Sequence, residues 1–398
     1  MAEFNLLDSE ARANPYPIYQ KLRAAAPVYW HEELQSWLIS HYADIKLLLR
    51  DPRFVFILIP PSPKQSKTRS QIFELLSGLM AFSDQQNHLR LRSIVGKACE
   101  TLFARMPERI QAIVDGLLDT VEGKGRIDLI ADLTVPLELN VITDFIGVPL
   151  SDGQQLKQWI GDFAQFAQFA GYYPTTSEDD EKILLSLKDA RDYFRDLIAQ
   201  RRQQPKADLI TALCTVQEQQ LSEQEIFINT LLAAAASSPT PSMLGNCLFQ
   251  LLQHPEAMQT LQNDPTLTGT AFEELLRYGT FFQWITRRAV EDVELHGQLI
   301  KKDQIVLFGV GSANRDETVF PDPEKFDITR QDNPHLAFGY GFHACLGGPP
   351  LVRQEGRIAI NTVLHRLKGL HLEPETHLQW VGGPQFQTLQ SLPVTIDR

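Results

Sequence analysis

Cysteine is scarce in this 398-residue chain, and Cys99, Cys214, Cys247 and Cys345 form no Cys-x-x-Cys pair. Such scattering excludes a disulfide framework and a structural zinc site. Long apolar runs are missing as well. No segment approaches the roughly 20 apolar residues that a bilayer crossing needs, and residues 1–8 lack the basic start and apolar stretch of a secretion signal. The expectation is a cytoplasmic protein with no membrane insertion. Positive charge is in deficit, the net charge being −12, which argues against nucleic acid as a partner. No Gly/Ser linker, internal repeat or low-complexity tract interrupts the chain, so residues 1–398 are expected to form a single, monomeric domain around one core.

What is present is mostly helical periodicity, at Tyr16 to Ala25, His41 to Asp51, Asn87 to Ala104, Glu108 to Glu122, Asp152 to Phe169, Asp180 to Gln203, Ser222 to Gln253, Gly269 to Tyr278 and Leu351 to Leu367. Strand-like runs are short: Val28 to Trp30, Ser36 to Ser40, Ala289 to Leu295, Gln304 to Phe308 and a C-terminal pair ending at Leu392 to Ile396. The fold class is therefore mainly α with a small β portion. Two stretches lack periodicity. One, Phe54 to Ser70, contains Ile59-Pro60-Pro61-Ser62-Pro63; the other, Phe320 to Pro334, leads into the segment of greatest chemical interest.

That segment reads Phe338-Gly339-Tyr340-Gly341-Phe342-His343-Ala344-Cys345-Leu346-Gly347-Gly348. Glycines at 339, 341 and 347 allow a tight loop with N–H groups turned toward the sulfur. Those donors, with the start of the following helix, are expected to favour a thiolate. A lone cysteine is nonetheless most often a small buried hydrophobe. Elsewhere, Glu274 and Arg277 share a helical face, and so do His88 and Arg92. Arg287 and Arg288, adjacent on an expected strand, should point to opposite faces.

The Phe-Gly-x-Gly-x-His-x-Cys-x-Gly string resembles the ligand loop of the cytochrome P450 family at every position of its pattern. The resemblance implies that family's fold and a haem b whose iron is bound by Cys345, with Phe338, Gly339 and Gly347 shaping the loop and with neither zinc nor flavin in the chain. It implies further that Arg330 joins Glu274 and Arg277 in a buried structural cluster, and that His88, Arg92, Arg287 and His343 hold the haem propionates. The substrate pocket would be lined by residues 54–81, Phe163, Phe166, Phe169, Tyr172, Ala235, Ala236, Phe281, Phe282, Trp284 and Phe386, which suits an apolar or aromatic small molecule. The implied reaction is oxidation with dioxygen in secondary metabolism. A separate ferredoxin or flavodoxin would supply electrons, docking near Arg90, Lys97 and Arg353, since no reductase fits between the loop and the end of the chain.

Two departures stand out. Where the family usually has Ala-Gly-x-(Asp/Glu)-Thr-Thr, this chain has Ala235-Ala236-Ser237-Ser238-Pro239-Thr240, so Ser238-Pro239 replaces the acid-alcohol pair and no Asp or Glu lies between Glu225 and Glu256. Ser237, Ser238 and Thr240 are then the catalytic hydroxyls left to organise protons, with the carbonyls of Ala235 and Ser237 freed by Pro239 and Pro241. Loss of the acid opens an alternative: a P450 that uses peroxide, or couples radicals without inserting oxygen. A non-catalytic haem-binding sensor is the reading from a different class. The second departure is one extra residue at Pro349-Pro350, expected to distort the first turn of the next helix.

Overall fold

Residues 4–56, 66–169, 176–216, 221–373 and 377–397 are described by the computed structural model; the 59–63 stretch, Tyr172 and the Phe169 side chain fall outside this description. β-Branched and aromatic residues build the main sheet. Its strands, β1 (Val28–His31), β2 (Ser36–Ile39), β3 (Phe54–Val55), β4 (Trp284–Ala289) and β5 (Ile305–Gly309), lie in the order β1-β2-β5-β4-β3, parallel only where β2 meets β5. The sheet strand expected at Ala289 to Leu295 instead ends at Ala289, and Val293–Leu295 forms a separate hairpin with Gln298–Ile300. Side-chain alternation along β4 sends Ile285 and Arg287 to the interior cavity described below. Trp284 goes to the opposite face, edge-on to Tyr19 at 5.3 Å.

Six helices position the site: α1 (Gln85–Phe103), α2 (Val135–Ile146), α3 (Glu223–Ser237), α4 (Thr240–Gln253), α5 (Thr268–Tyr278) and α6 (Gly348–Arg366). Asp84 starts α1 by accepting the Asn87 N–H at 2.8 Å. Ser222 and Glu225 start α3 with a reciprocal capping box. The continuous helix expected over 222–253 is broken. Pro239 lacks the N–H that would continue α3, and the Ala235 carbonyl is taken by the N–H and hydroxyl of Ser238, at 3.2 and 2.7 Å. α4 then begins with its prolines in or beside the first turn, where no N–H is needed. The same logic accommodates Pro349 and Pro350, which sit in the first turn of α6 directly after Gly347.

α2 was not expected from periodicity. It is buried on most faces, with Leu137, Val141, Ile142, Phe145 and Ile146 in the cluster that also contains Leu231, Leu244 and Ile360. Each such fully buried side chain contributes about 1.5–3 kcal/mol. Among the described residues, no helix is long and apolar enough to cross a membrane.

Candidate active site

A cavity of ≈ 330 Å³ separates the α3–α4 break from the cysteine loop. Phe338, Gly339, His343, Cys345 and Gly348 line one side, and Ala235, Ala236, Pro239, Thr240 and Met243 the other. Within the loop the Cys345 N–H donates to the Phe338 carbonyl at 3.0 Å. A side chain at 348 would place its Cβ 2.7 Å from Cys345 Sγ, so only glycine allows the backbone to approach the sulfur here. Gly347, at φ 74°, leaves room in the same way for Cys99 Sγ, which a Cβ would meet at 3.0 Å.

The loop is held from behind by a buried ion cluster. Glu274 grips Arg277 bidentately at 2.7 and 2.8 Å and accepts from Arg330 at 3.2 Å, with Glu274 and Arg277 both 0% exposed. Its remaining lone pairs take the Asp327 N–H and the Asn333 amide. Arg277 donates to the Asn314 carbonyl at 2.8 Å, and Asn314 Oδ1 accepts the Leu336 N–H at 2.7 Å, which carries the anchor to the start of the cysteine loop. A neighbour unnoticed in the sequence does similar work: Glu273 binds His335, Arg353 and Arg357, tying α5 to α6.

Cations converge on the cavity without anions to answer them. Arg287 is 5% exposed, lies 5.4 Å over the Phe56 ring and, among the described residues, donates only to the Thr286 carbonyl, at 2.8 Å. Among the described residues neither Arg287 nor the half-buried Arg92 has a carboxylate partner. Burial pushes the Arg287 guanidinium down to about 10, and Arg92 down as well, against the pull of Cys345. Burial, then the charges of Arg287, His88 and Arg92, pushes His343 down to about 4. Such a wall calls for a multiply charged anion. Cys345, partly accessible toward the cavity, is otherwise enclosed, and that burial raises its pKa against the Gly348 N–H and Arg92. The Gly348 N–H and Arg92 thus favour the thiolate while burial opposes it.

A family model described as cytochrome P450 matches residues 5–379. The chain belongs to the cytochrome P450 family. It is 36% identical over 397 residues to the "Biotin biosynthesis cytochrome P450" of Bacillus subtilis, covering 98% of each chain. To the "Mycinamicin IV hydroxylase/epoxidase" of Micromonospora griseorubida it is 35% identical over 371 residues, covering 90% of this chain and 89% of that one. The solved structure of P450BioI in complex with hexadec-9Z-enoic acid ligated acyl carrier protein matches with a TM-score of 0.86 at 35% identity, over 98% of this chain and 99% of that one. That of the Bacillus subtilis bacillaene P450 PksS matches with 0.87 at 31% identity, over 99% and 100%. The chain thus has the mainly α cytochrome P450 fold and is a P450 oxidoreductase.

The family implies haem iron, and the residues present fit it. Cys345 would bind the metal, while Arg287, Arg92 and His343 would answer the two propionates. His88 stands differently: its ring nitrogens lie 2.9 Å from the Met80 carbonyl and 3.0 Å from that of Phe342, so it braces the loop. Its ring packs edge-on to His343 at 4.7 Å. Gly347 borders a smaller neighbouring pocket, not the cavity. Of the three expected hydroxyls only Thr240 lines the cavity. Ser238 caps Ala235, and Ser237 is turned to Glu138 at 2.6 Å. Of the expected substrate-pocket residues, Phe56, Leu79 and Ala81 from the 54–81 stretch, with Phe163, Ala235, Ala236 and Phe282, line the cavity. Phe281 and Phe386 stack behind Phe282, Phe166 is in the core, and Trp284 lies across the sheet. Arg90 pairs with Glu225, and Arg353 is bidentate to Glu273, so neither is a free charge for docking.

Arg287→Ala and Arg92→Ala are each expected to weaken haem retention by about 1.5–3 kcal/mol, the worth of a charge-assisted hydrogen bond. Arg288, on the outer face with Asp303, should have little effect when replaced by alanine. Haem transfer to apomyoglobin measures all three, and equal rates would show that the cationic wall does not face the cofactor.

Proposed function

We propose that this P450 oxidises an apolar small molecule of a biosynthetic pathway, in the cytoplasm, with electrons from a separate ferredoxin or flavodoxin. The observation that carries the reading is the joint placement of Cys345, uncompensated Arg287 and an aromatic, nearly uncharged wall around one cavity. Haem bound through a thiolate supplies oxidising power, because the sulfur pushes electron density to the iron and favours O–O cleavage. The chain supplies the rest. Phe82, Phe163 and Phe282 exclude water and present an apolar surface, which orients a ligand chiefly by shape. Thr240 places one hydroxyl, able to donate and accept, at the wall facing Cys345. Relatives named for biotin biosynthesis, polyketide biosynthesis and mycinamicin IV hydroxylation or epoxidation support a substrate of this kind. A carrier-bound acyl chain, as in the P450BioI complex, is one apolar occupant worth testing.

The test has two stages. Reduced protein with carbon monoxide should give the red-shifted Soret band of thiolate ligation, and a panel of fatty acids, polyketide fragments and aromatics should include ligands that shift the resting spectrum. Those ligands should be turned over with dioxygen and a ferredoxin–reductase pair. A protein that binds haem with the thiolate signature yet oxidises none of the ligands it binds, under either dioxygen or peroxide, is a sensor or carrier and not the enzyme proposed.

A further inference from the structure

The segment 235–240 has no acid, but the space beside it does. Glu138, on α2 and 6% exposed, places Oε1 2.6 Å from Ser237 Oγ. Ser237 Oγ also lies 2.7 Å from the Ala234 carbonyl, a group that only accepts. A serine has one hydrogen to give. If it goes to Ala234, the short contact to Glu138 is completed by a protonated carboxyl donating to Ser237. Burial raises the pKa of Glu138, against Lys157 and against any hydrogen that Ser237 gives it. A second acid, Glu355 of α6, is 2% exposed, and its Oε1 has no hydrogen-bond partner among the described residues. Burial, then the neighbouring Glu138, raises its pKa too.

Both carboxylates and Ser237 border a pocket of ≈ 30 Å³, enough for a water, which requires roughly 10–15 Å³ and several polar partners. Thr240 borders this pocket and the large cavity alike, and among the described residues is the only polar side chain common to the two walls. The groups that face Glu138 are thus Ser237 from α3, Glu355 from α6 and the half-buried Lys157 from the helix Gly153–Phe169.

We propose that Glu138 is the proton-holding acid of this P450, acting through Ser237 and Thr240 in place of the acid missing from the distal segment. This rests on the haem-thiolate reading above. For each proton delivered, the Glu138 O–H bond breaks as Ser237 Oγ takes the hydrogen. In the same event Ser237 swings its own hydrogen from the Ala234 carbonyl to a water in the small pocket and releases it there, the water releases one to Thr240, and Thr240 releases one into the cavity. No electron moves, and Glu138 regains a proton from solvent on the Lys157 side. Glu138 is a positioning residue here, since it reaches the cavity only through other groups.

Infrared difference spectra of the holoprotein and of the haem-free protein, wild type against Glu138→Gln, test the first half of the proposal. The carbonyl stretch of a buried protonated carboxylic acid should be lost in the variant and should move in Ser237→Ala. The second half is tested by coupling of reductant to product. Positioned proton transfer is worth ~10²–10⁴ in rate, so Glu138→Gln should lower coupled turnover with dioxygen by at least tenfold while peroxide-driven turnover and the thiolate Soret band persist. Glu138→Asp should restore part of it. An unchanged infrared spectrum overturns the proposal, and so does a lost band with unchanged coupling. Should Glu138→Gln fail to fold, Ser237→Ala, which keeps the acid and removes only the hydroxyl, must show the same coupling defect or the relay is wrong. Absence of the thiolate band from wild-type protein would instead refute the haem-thiolate reading, and the infrared arm would still decide whether Glu138 holds a proton.

Discussion

Glu274→Ala is expected to destabilise the folded protein by about 3–5 kcal/mol, the cost of leaving a buried charge without its partner. The reason lies in the cluster's asymmetry. Arg277 is 0% exposed and gives two of its hydrogen bonds to Glu274; its remaining partners, the carbonyls of Asn314, Pro323 and Lys325, do not neutralise it. The damage should also reach the cofactor site, because Asn314 links Arg277 to Leu336 at the start of the cysteine loop. Urea unfolding measured alongside the thiolate Soret band should therefore show both falling together. Arg330→Ala should cost less, since its guanidinium is partly exposed. Glu274→Gln, which keeps an acceptor but not the charge, should fall between the two. A loss under about 1 kcal/mol for Glu274→Ala would place the pair with surface salt bridges, whose worth is that small.

What the sequence revealed and what it hid follow from different physics. The cysteine loop was legible because backbone geometry forces glycine at fixed spacings around one sulfur, and Gly348 against Cys345 Sγ shows that constraint directly. The Glu274–Arg277 pair was legible because helical spacing alone brings the two together. α2 was not. Its residues are buried on nearly every face, so no polar stripe marks its period, and Glu138 looked like an isolated charge in an apolar run. That very isolation was the available signal, because a carboxyl amid Leu137, Leu139, Val141 and Ile142 must find a partner or keep its proton. Strand parity excludes Trp284 from the pocket: with Arg287 facing the cavity on β4, Trp284, three residues earlier, points to the other side. The break at Ser238-Pro239 was expected as a kink in one helix and is a boundary between two. The carbonyl that Pro239 frees at Ala235 is reclaimed by Ser238, not left for water.

Cys345→Ala is expected to abolish the red-shifted Soret band of the reduced carbon monoxide complex outright, and with it all turnover that requires reductant and dioxygen. The sharper comparison is with Cys99→Ala, because Cys99 Sγ lies close beneath the loop, where a Cβ on Gly347 would meet it at 3.0 Å. Proximity alone makes Cys99 a rival ligand. Three observations separate the two thiols. Cys345 lines the large cavity and Cys99 does not. Burial, with Cys345 and Glu100 adding to it, pushes the Cys99 thiol up to about 12, whereas at Cys345 the burial is opposed by Arg92. The Gly348 N–H is directed to Cys345, which stabilises negative charge on that sulfur. Cys99→Ala should therefore keep the band and the haem, losing at most the packing of one small buried side chain, about 1 kcal/mol. Cys345→Ala should still retain haem loosely between Arg287 and Arg92, since those cations would act on the propionates and not on the iron. A band that survives Cys345→Ala and disappears in Cys99→Ala would move the ligand to α1 and dismantle the site built here.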